Sequence, residues 1–338
     1  MYQHYLGVDL HSKRTYLVLM DAEGEVQDRC RLDNHEVANY IAAFPTNTCA
    51  VVEATGNWSY MYDILNAHCE RVELAHPKQV RAIATARIKT DRIDATILAH
   101  LARTNLLPTA YAAPLPIREL RDCTRHRSKL VRERTRHKNR VHRILSRYNI
   151  HSLCSDLFGK QGRSFLETAQ AQLSTIHRQL IGDYLVLIDQ LNERIKQADR
   201  SIREWVKTDP RAALLLSMPG IGPYSAAVIV AEIAEIRRFS RAKELCSYVG
   251  LVPSTRSSDI RTYHGRITKE GSPWLRWIMV TAAQRATHGS PRLKVFFERV
   301  AQQHGKKTAR VALARKMLSI IFYMLSRQQP FLEEYQQG

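Results

Sequence analysis

Residues 5–32 read YLGVDLHSKRTYLVLMDAEGEVQDRCRL, and the fold class turns on how that stretch divides. Residues 5–10 are a short apolar run, residues 15–21 (TYLVLMD) are rich in β-forming side chains, and Ala22-Glu23-Gly24 is a turn before a third extended segment over residues 25–32. Three strands with short connections predict an antiparallel meander. Beyond it the period changes. Asn34 is placed to cap a helix reaching residue 44, residues 49–54 (CAVVEA) have the pattern of a buried strand, residues 60–68 are helical, and residues 72–75 form a further strand before Pro77. The order βββαβαβα predicts a mixed sheet covered by helices.

The chain has 338 residues, which suggests about two domains. Its 51 Lys and Arg against 32 Asp and Glu leave a net charge of +19, which points to a polyanionic partner, with nucleic acid first in line. A hydrophobic share of 44% excludes wholesale disorder. No apolar run approaches the roughly 20 residues of a membrane span, and the N-terminus has no secretory pattern, so a cytoplasmic protein is expected. The six cysteines (Cys30, Cys49, Cys69, Cys123, Cys154 and Cys246) form no CxxC pair or zinc-finger spacing and read as reduced thiols.

Residues 118–147 form a long helical candidate with twelve Lys or Arg and three acids. Within it Arg125, Arg127, Lys129, Arg132, Arg136, Lys138 and Arg140 are candidate contacts to a nucleic-acid backbone, because such a helix repels itself without a counter-anion. From residue 164 to 206, apolar positions at Leu166, Leu173, Leu180, Leu187, Leu191, Ile195 and Ile202, among others, recur in steps of three or four. This predicts a coiled-coil helical linker able to join two copies into a dimer or tetramer. Asp209-Pro210 ends it. The resulting division is residues 1–150, including the basic helix, residues 151–208 as linker, and residues 209–338 as a mostly α-helical C-terminal domain.

Four carboxylates stand out. Asp9 lies inside the first strand, Glu53 inside the fourth, and Asp91 and Asp94 open an amphipathic helix in IKTDRIDATILAHLA. Carboxylates within apolar strands are costly to bury without a partner, and Mg²⁺ or Mn²⁺ takes hard oxygen ligands of this kind. Asp91 and Asp94 share a helix face and could be aimed at a metal held by Asp9 and Glu53, where two ions about 3.5–4 Å apart would serve phosphodiester chemistry. Taken alone, the pair equally satisfies the preference of a helix first turn for acids, and Asp9 could pair with Lys13 or Arg14. The histidines, His11 included, show no ligand spacing.

Two glycines, Gly220 and Gly222 in MPGIGP, precede an apolar helix and resemble a helix-hairpin-helix turn. Such a turn exposes backbone N–H groups to a phosphate, although a plain interhelical turn has the same composition. Trp274 and Trp277, three apart, read as a buried helix face.

The order of the N-terminal elements is that of ribonuclease-H-like nuclease domains. GVDLHS, VVEATGNW and IKTDRIDA resemble the DEDD motifs of an insertion-sequence transposase family, the insertion sequence 110 family, whose N-terminal domain is similar to RuvC-type Holliday-junction resolvases. The stretch from MPGIGPYSAAVIVAEI to YVGLVPSTRSSDIRTYHGRITKEGSPWLRW resembles the second domain of the same family. The resemblance implies a DNA transposase or recombinase in which Asp9, Glu53, Asp91 and Asp94 hold metal ions. It also implies a serine that forms a transient phosphoserine link to DNA, and a structured RNA that guides target choice. Spacing places no base beside the loop serines. The family commonly has Gly after the nucleophile where this chain has Asp259, so the register stays open between Ser257 and Ser258, with Ser254 more distant. Arg266 and Lys269 would offset phosphate charge. Two other functions compete: a resolvase-like endonuclease hydrolysing branched DNA with the four acids alone, and a non-catalytic nucleic-acid-binding protein in which those acids are structural.

Overall fold

A computed structural model describes residues 2–83, 90–258 and 261–333, apart from the side chains of residues 256–258, 261, 262 and 264. The chain divides into two compact units, Met1–Ala113 and Pro114–Gly338.

The first unit runs β1(His4–Leu10), β2(Arg14–Asp21), β3(Val26–Asp33), α1(Val37–Ile41), β4(Thr48–Glu53), α2(Trp58–His68), β5(Arg71–Ala75), α3(Pro77–Ile83), α4(Asp91–Arg103) and β6(Thr109–Ala110). The sheet order is β3-β2-β1-β4-β5-β6; β1, β4 and β5 are parallel, while β2, β3 and the short β6 are antiparallel to their neighbours. This is the mixed, helix-covered sheet expected from the sequence, with β6 added.

Period-two alternation sorts the central strands between two faces. Leu6, Val8, Ala50 and Val52 join the core that takes in Val37 and Ile41 of α1 and Met61 and Leu65 of α2. Their neighbours Tyr5, Cys49 and Val51 face the other way, into clusters containing Ala99, Leu98 and Leu101 of α4. Gly7, Asp9 and Glu53 fall in this second set by parity. A Cβ built on Gly7 would stand 1.9 Å from the Ala95 carbonyl oxygen, so α4 rests directly on the β1 backbone. Only glycine permits that approach.

Asn34 does not cap α1, which is shorter than expected and begins after Glu36. Its amide accepts from the buried Thr15 hydroxyl (2.7 Å) and donates to the carbonyls of His11 (3.0 Å) and Ser12 (3.4 Å), tying down the β1–β2 turn.

The second unit holds α5(Leu115–Arg147), α6(Lys160–Ala169), α7(Thr175–Thr208), α8(Pro210–Leu216), α9(Pro223–Ile233), α10(Ala242–Val249), β7(Pro253–Ser258), β8(Arg261–Ile267), α11(Pro273–Gly289) and α12(Pro291–Arg327). The break between units falls at Ala113/Pro114 rather than at residue 150, so the basic helix α5 packs with α7 and α9 instead of closing the first domain.

The long apolar seam is not one helix. It is broken by a 3₁₀ turn at Gln170–Gln172 and by an extended Leu173, after which the Ser174 hydroxyl accepts from the His177 N–H to start α7. Descending pairs (Arg127 with Asp199, Arg134 with Asn192, Tyr148 with His177) make α5 and α7 antiparallel. Their interface buries Ile181, Ile188, Ile195 and Ile202, a strict seven-residue repeat, whereas Ile176 and Leu187 of the expected seam are exposed. The helix seam is thus largely covered within the chain. Leu173 is buried beside Leu166 and Ile181, so a charge placed there would test folding rather than assembly.

Gly7→Ala should cost about 1–3 kcal/mol, the range for overpacking, because the added methyl must push α4 off β1. Urea unfolding of the full chain would measure it, and an unchanged midpoint would contradict the contact.

Candidate active site

Asp9 sits near the end of β1, where the parallel register with β4 stops at Val8 opposite Val52 and the next residues are Asp9 and Glu53. Asp91 and Asp94 lie in the first turn of α4, which the Thr90 hydroxyl caps by accepting from Ile93 N–H (3.3 Å). Three elements therefore deliver four carboxylates to one end of the sheet. Burial raises the Asp9 pKa above its ordinary 3.8; His11 opposes the shift, and the charges of Asp94, Asp91 and Glu53 add to it. The three other acids predicted from sequence thus all bear on Asp9, while only Asp91 joins it and His11 at ligand distance.

His11 is the residue that sequence spacing missed. Its Nε2 stands 3.3 Å from Asp9 Oδ2 and 3.2 Å from Asp91 Oδ1, bridging strand and helix. Asn57 and Asn34 both donate to its carbonyl, at 3.1 and 3.0 Å, which fixes the turn that carries it. Its place two residues after Asp9, on the same side of an extended chain, was the available signal. Arg31 approaches Asp91 from β3 (3.7 Å), and Arg14 pairs with Asp33 rather than with Asp9.

Asp9 Oδ2 is shut off from solvent and has no hydrogen bond, since the His11 contact lacks the alignment of one. Asp9, His11 and Asp91 each offer a ligand atom within 4.8 Å of the others, a group able to hold a metal ion. A buried, unsatisfied carboxylate oxygen facing further carboxylates is the donor set a divalent cation satisfies.

In the second unit the basic residues separate into two sets. Arg125 donates twice to Glu232, at 3.0 and 2.8 Å. That carboxylate is only 3% exposed and also accepts from the Ser272 hydroxyl (2.9 Å). Arg127 grips Asp199 and lies over the Tyr224 ring. Lys138 sits over Phe158 and approaches Asp156. These three candidates serve packing inside the unit. Lys129, Arg132, Arg136, Arg140, Arg143 and Arg147 are exposed and follow one another by steps of three or four, one continuous stripe along α5.

Of the turn glycines, Gly220 (φ +84°) is pressed against α11: a Cβ there would stand 2.5 Å from the Ala282 carbonyl oxygen. Gly222 caps α9 with open space beside it. Trp274 is half-buried against the core, while Trp277 is exposed and meets it edge-on. Ser257 and Ser258 lie at the far end of β7, paired across the ladder with Thr262 and Arg261; their side chains are outside the described residues. Arg266 and Lys269 are exposed at the base of the hairpin.

A strongly basic chain with these elements falls among the DNA transposases when compared with known proteins. Residues 6–150 match a DEDD transposase family model, and residues 212–298 match the model of the transposase IS116/IS110/IS902 family. The chain belongs to that family. It is 23% identical over 338 residues to the transposase for insertion sequence element IS1111A of Coxiella burnetii, covering 96% of this chain and 90% of the relative. It is 26% identical over 359 residues to the pilin gene-inverting protein of Moraxella bovis, covering 98% of each. Against the transposase for insertion sequence element IS1328 of Yersinia enterocolitica the identity is 22%, covering 95% and 96%. The chain is accordingly a DNA-processing enzyme of the transposase and recombinase class. No helix among the described residues is long and apolar enough to cross a membrane.

Because the folded-state pKa of Asp9 is raised, its ionisation opposes folding; the penalty is absent at low pH and develops as pH rises through the raised value. At neutral pH Asp9→Asn should therefore melt above the parent chain, and Mg²⁺ or Mn²⁺ should raise the melting temperature of the parent but not of the variant. A lower-melting variant would overturn this account of the site. Arg125→Ala, which strands the Glu232 carboxylate, should cost about 3 kcal/mol of stability in chemical unfolding. Lys129→Ala with Arg143→Ala should leave stability unchanged while weakening nucleic-acid binding and flattening its salt dependence.

Proposed function

We propose that this transposase cuts and rejoins DNA with two sets of groups: Asp9, Glu53, Asp91 and Asp94 as holders of divalent cations, Mg²⁺ or Mn²⁺, and Ser257 or Ser258 as the nucleophile. The observation that carries the first part is the buried oxygen of Asp9, unsatisfied by hydrogen bonds, with Asp91 at ligand distance and the charges of Asp94 and Glu53 acting on it. The sheet order, with a three-stranded meander followed by parallel β4 and β5, supports a ribonuclease-H-like, RuvC-like assignment for residues 1–113. A bound cation would stabilise charge on a phosphate under attack. His11 lies between Asp9 and Asp91, where a protonated ring offsets their charge and a neutral ring offers a nitrogen ligand.

In the serine step, the hydroxyl oxygen forms a bond to phosphorus as the bond from phosphorus to one strand oxygen breaks, and the serine proton passes by way of water to that oxygen, which leaves as a hydroxyl. Attack by a strand hydroxyl on the phosphoserine reverses the exchange. One phosphodiester bond is traded for another at each step, so joining needs no external energy source. The resemblance of PSTRSSDIRTYHGRITKEG to the family's second domain supports this part.

The exposed stripe on α5 supports a nucleic-acid backbone contact, and a structured guide RNA is the partner proposed for it. The helix–turn–helix of α8 and α9 supports a helix-hairpin-helix-like element, with Gly222 at the open N-terminus of α9. Exposed Ile176, Val186 and Leu187 on α7 support coiled-coil contact with a second copy, as a dimer or tetramer. A cytoplasmic location near the nucleoid suits such an enzyme.

Replacing Ser257 and Ser258 together by Ala should abolish both cutting and joining of transposon-end DNA, as should Asp9→Asn; gel analysis of end-labelled substrates reads both. Joining that persists in the double-serine variant would overturn the nucleophile, and hydrolytic cutting without any joining in the parent would favour the resolvase-like alternative. Sequencing of nucleic acid copurified with the chain tests the RNA.

A further inference from the structure

A cavity of about 880 Å³ lies between the base of the β7–β8 hairpin and α12. Five cations line it: Arg266 and Lys269 from the hairpin side, and Lys307, Arg315 and Lys316 from the helix. No carboxylate is among its described lining residues. Its floor is apolar, formed by Leu251, Ile267, Phe296 and Val311. Lys316 is half-buried, with its Nζ 4.6 Å from the centre of the Phe296 ring, and burial together with Arg292 and Arg299 pulls its pKa below the ordinary lysine value. An anion in the cavity would relieve that crowding of like charge.

A flat basic surface suffices for duplex backbone. A concave site that pairs cations with an apolar floor instead suits a strand whose bases are unstacked, with phosphates on the cations and a base against the floor. The place along the hairpin favours DNA. Pro253 lines the cavity, and Ser257 lies four residues further along the same strand, about 13 Å at 3.3 Å per residue. The cavity is thus within a few nucleotides of the serines on which cutting was placed above. Gly250 and Gly271 hold the hairpin base in register: a Cβ on Gly271 would stand 1.7 Å from the Tyr248 carbonyl oxygen.

We propose that this cavity is a subsite for single-stranded DNA next to the cleavage point, holding one or two unstacked nucleotides released from the duplex. The proposal rests on the serine hairpin acting on DNA, and it names α12 as part of the DNA-binding machinery.

The test is binding of a fluorescein-labelled oligothymidine to the full chain by anisotropy, with cross-linking of a 4-thiothymidine version mapped by mass spectrometry. Lys307 and Arg315 are exposed, so neutralising both should leave the fold intact. The expected result for Lys307→Ala with Arg315→Ala is about tenfold weaker binding near physiological salt and a salt slope reduced by about 1.4, at about 0.7 per lost contact. In the parent, cross-links should fall on the segment around Phe296 or on residues 307–316. Unchanged affinity and slope in the double variant, or cross-links confined to α5, would overturn the subsite. Oligouridine that competes as well as oligothymidine would also overturn it, by making RNA the occupant. Asp9→Asn and the double-serine variant should bind oligothymidine like the parent, so loss of joining and loss of this subsite are read separately.

Discussion

The contact between the β1 backbone at Gly7 and the α4 backbone at Ala95 governs the N-terminal unit. With any side chain at residue 7 the helix would ride higher on the sheet, and the first turn of α4 would carry Asp91 and Asp94 away from Asp9. The close approach is costly, because it crowds carboxylates around a half-buried one and raises the Asp9 pKa. His11 offsets part of that repulsion, and two asparagine side chains are committed to holding its turn in place. A fold that concentrates like charge in this way sacrifices stability at its functional site, a common signature of sites built for a cation.

The second unit resolves its excess charge differently. Part of it is internalised: Arg125 against buried Glu232, Arg127 against Asp199, and Arg121 donating to the Ala231 carbonyl (2.7 Å) all knit α5 to α7 and α9. Other cations are turned outward on α5 or line the cavity beside α12. Net charge alone therefore overstates how many cations are free to meet a polyanion.

Much of this was legible in the chain itself. Asp9 and Glu53 read as strand-borne, and the TDRID segment reads as a helix first turn with two more acids. The element order of the first unit follows from the alternation of β-rich and amphipathic segments. What escaped has physical reasons. Asn34 looked like a helix cap because the residue type suits a cap, but its three bonds to the β1–β2 turn involve residues on the far side of the meander. The helix seam was read as continuous because apolar spacing survives across Gln170–Ser174, where a 3₁₀ turn keeps nearly the same side-chain rhythm. Arg125 and Arg127 could not be told from their exposed neighbours, since their partners Glu232 and Asp199 lie far along the chain.

The isoleucine repeat on α7 locks one side of α5, which fixes the azimuth of the cations on the other side before any partner arrives. From Lys129 to Arg147 the stripe extends about 27 Å at 1.5 Å per residue, a ready-made ruler whose ordering entropy is already spent in folding. Single substitutions would only dim one mark on it. Insertion or deletion of one residue within α5 would twist everything beyond it by about 100°, so over evolutionary time this arm should tolerate changes of letter far better than changes of length.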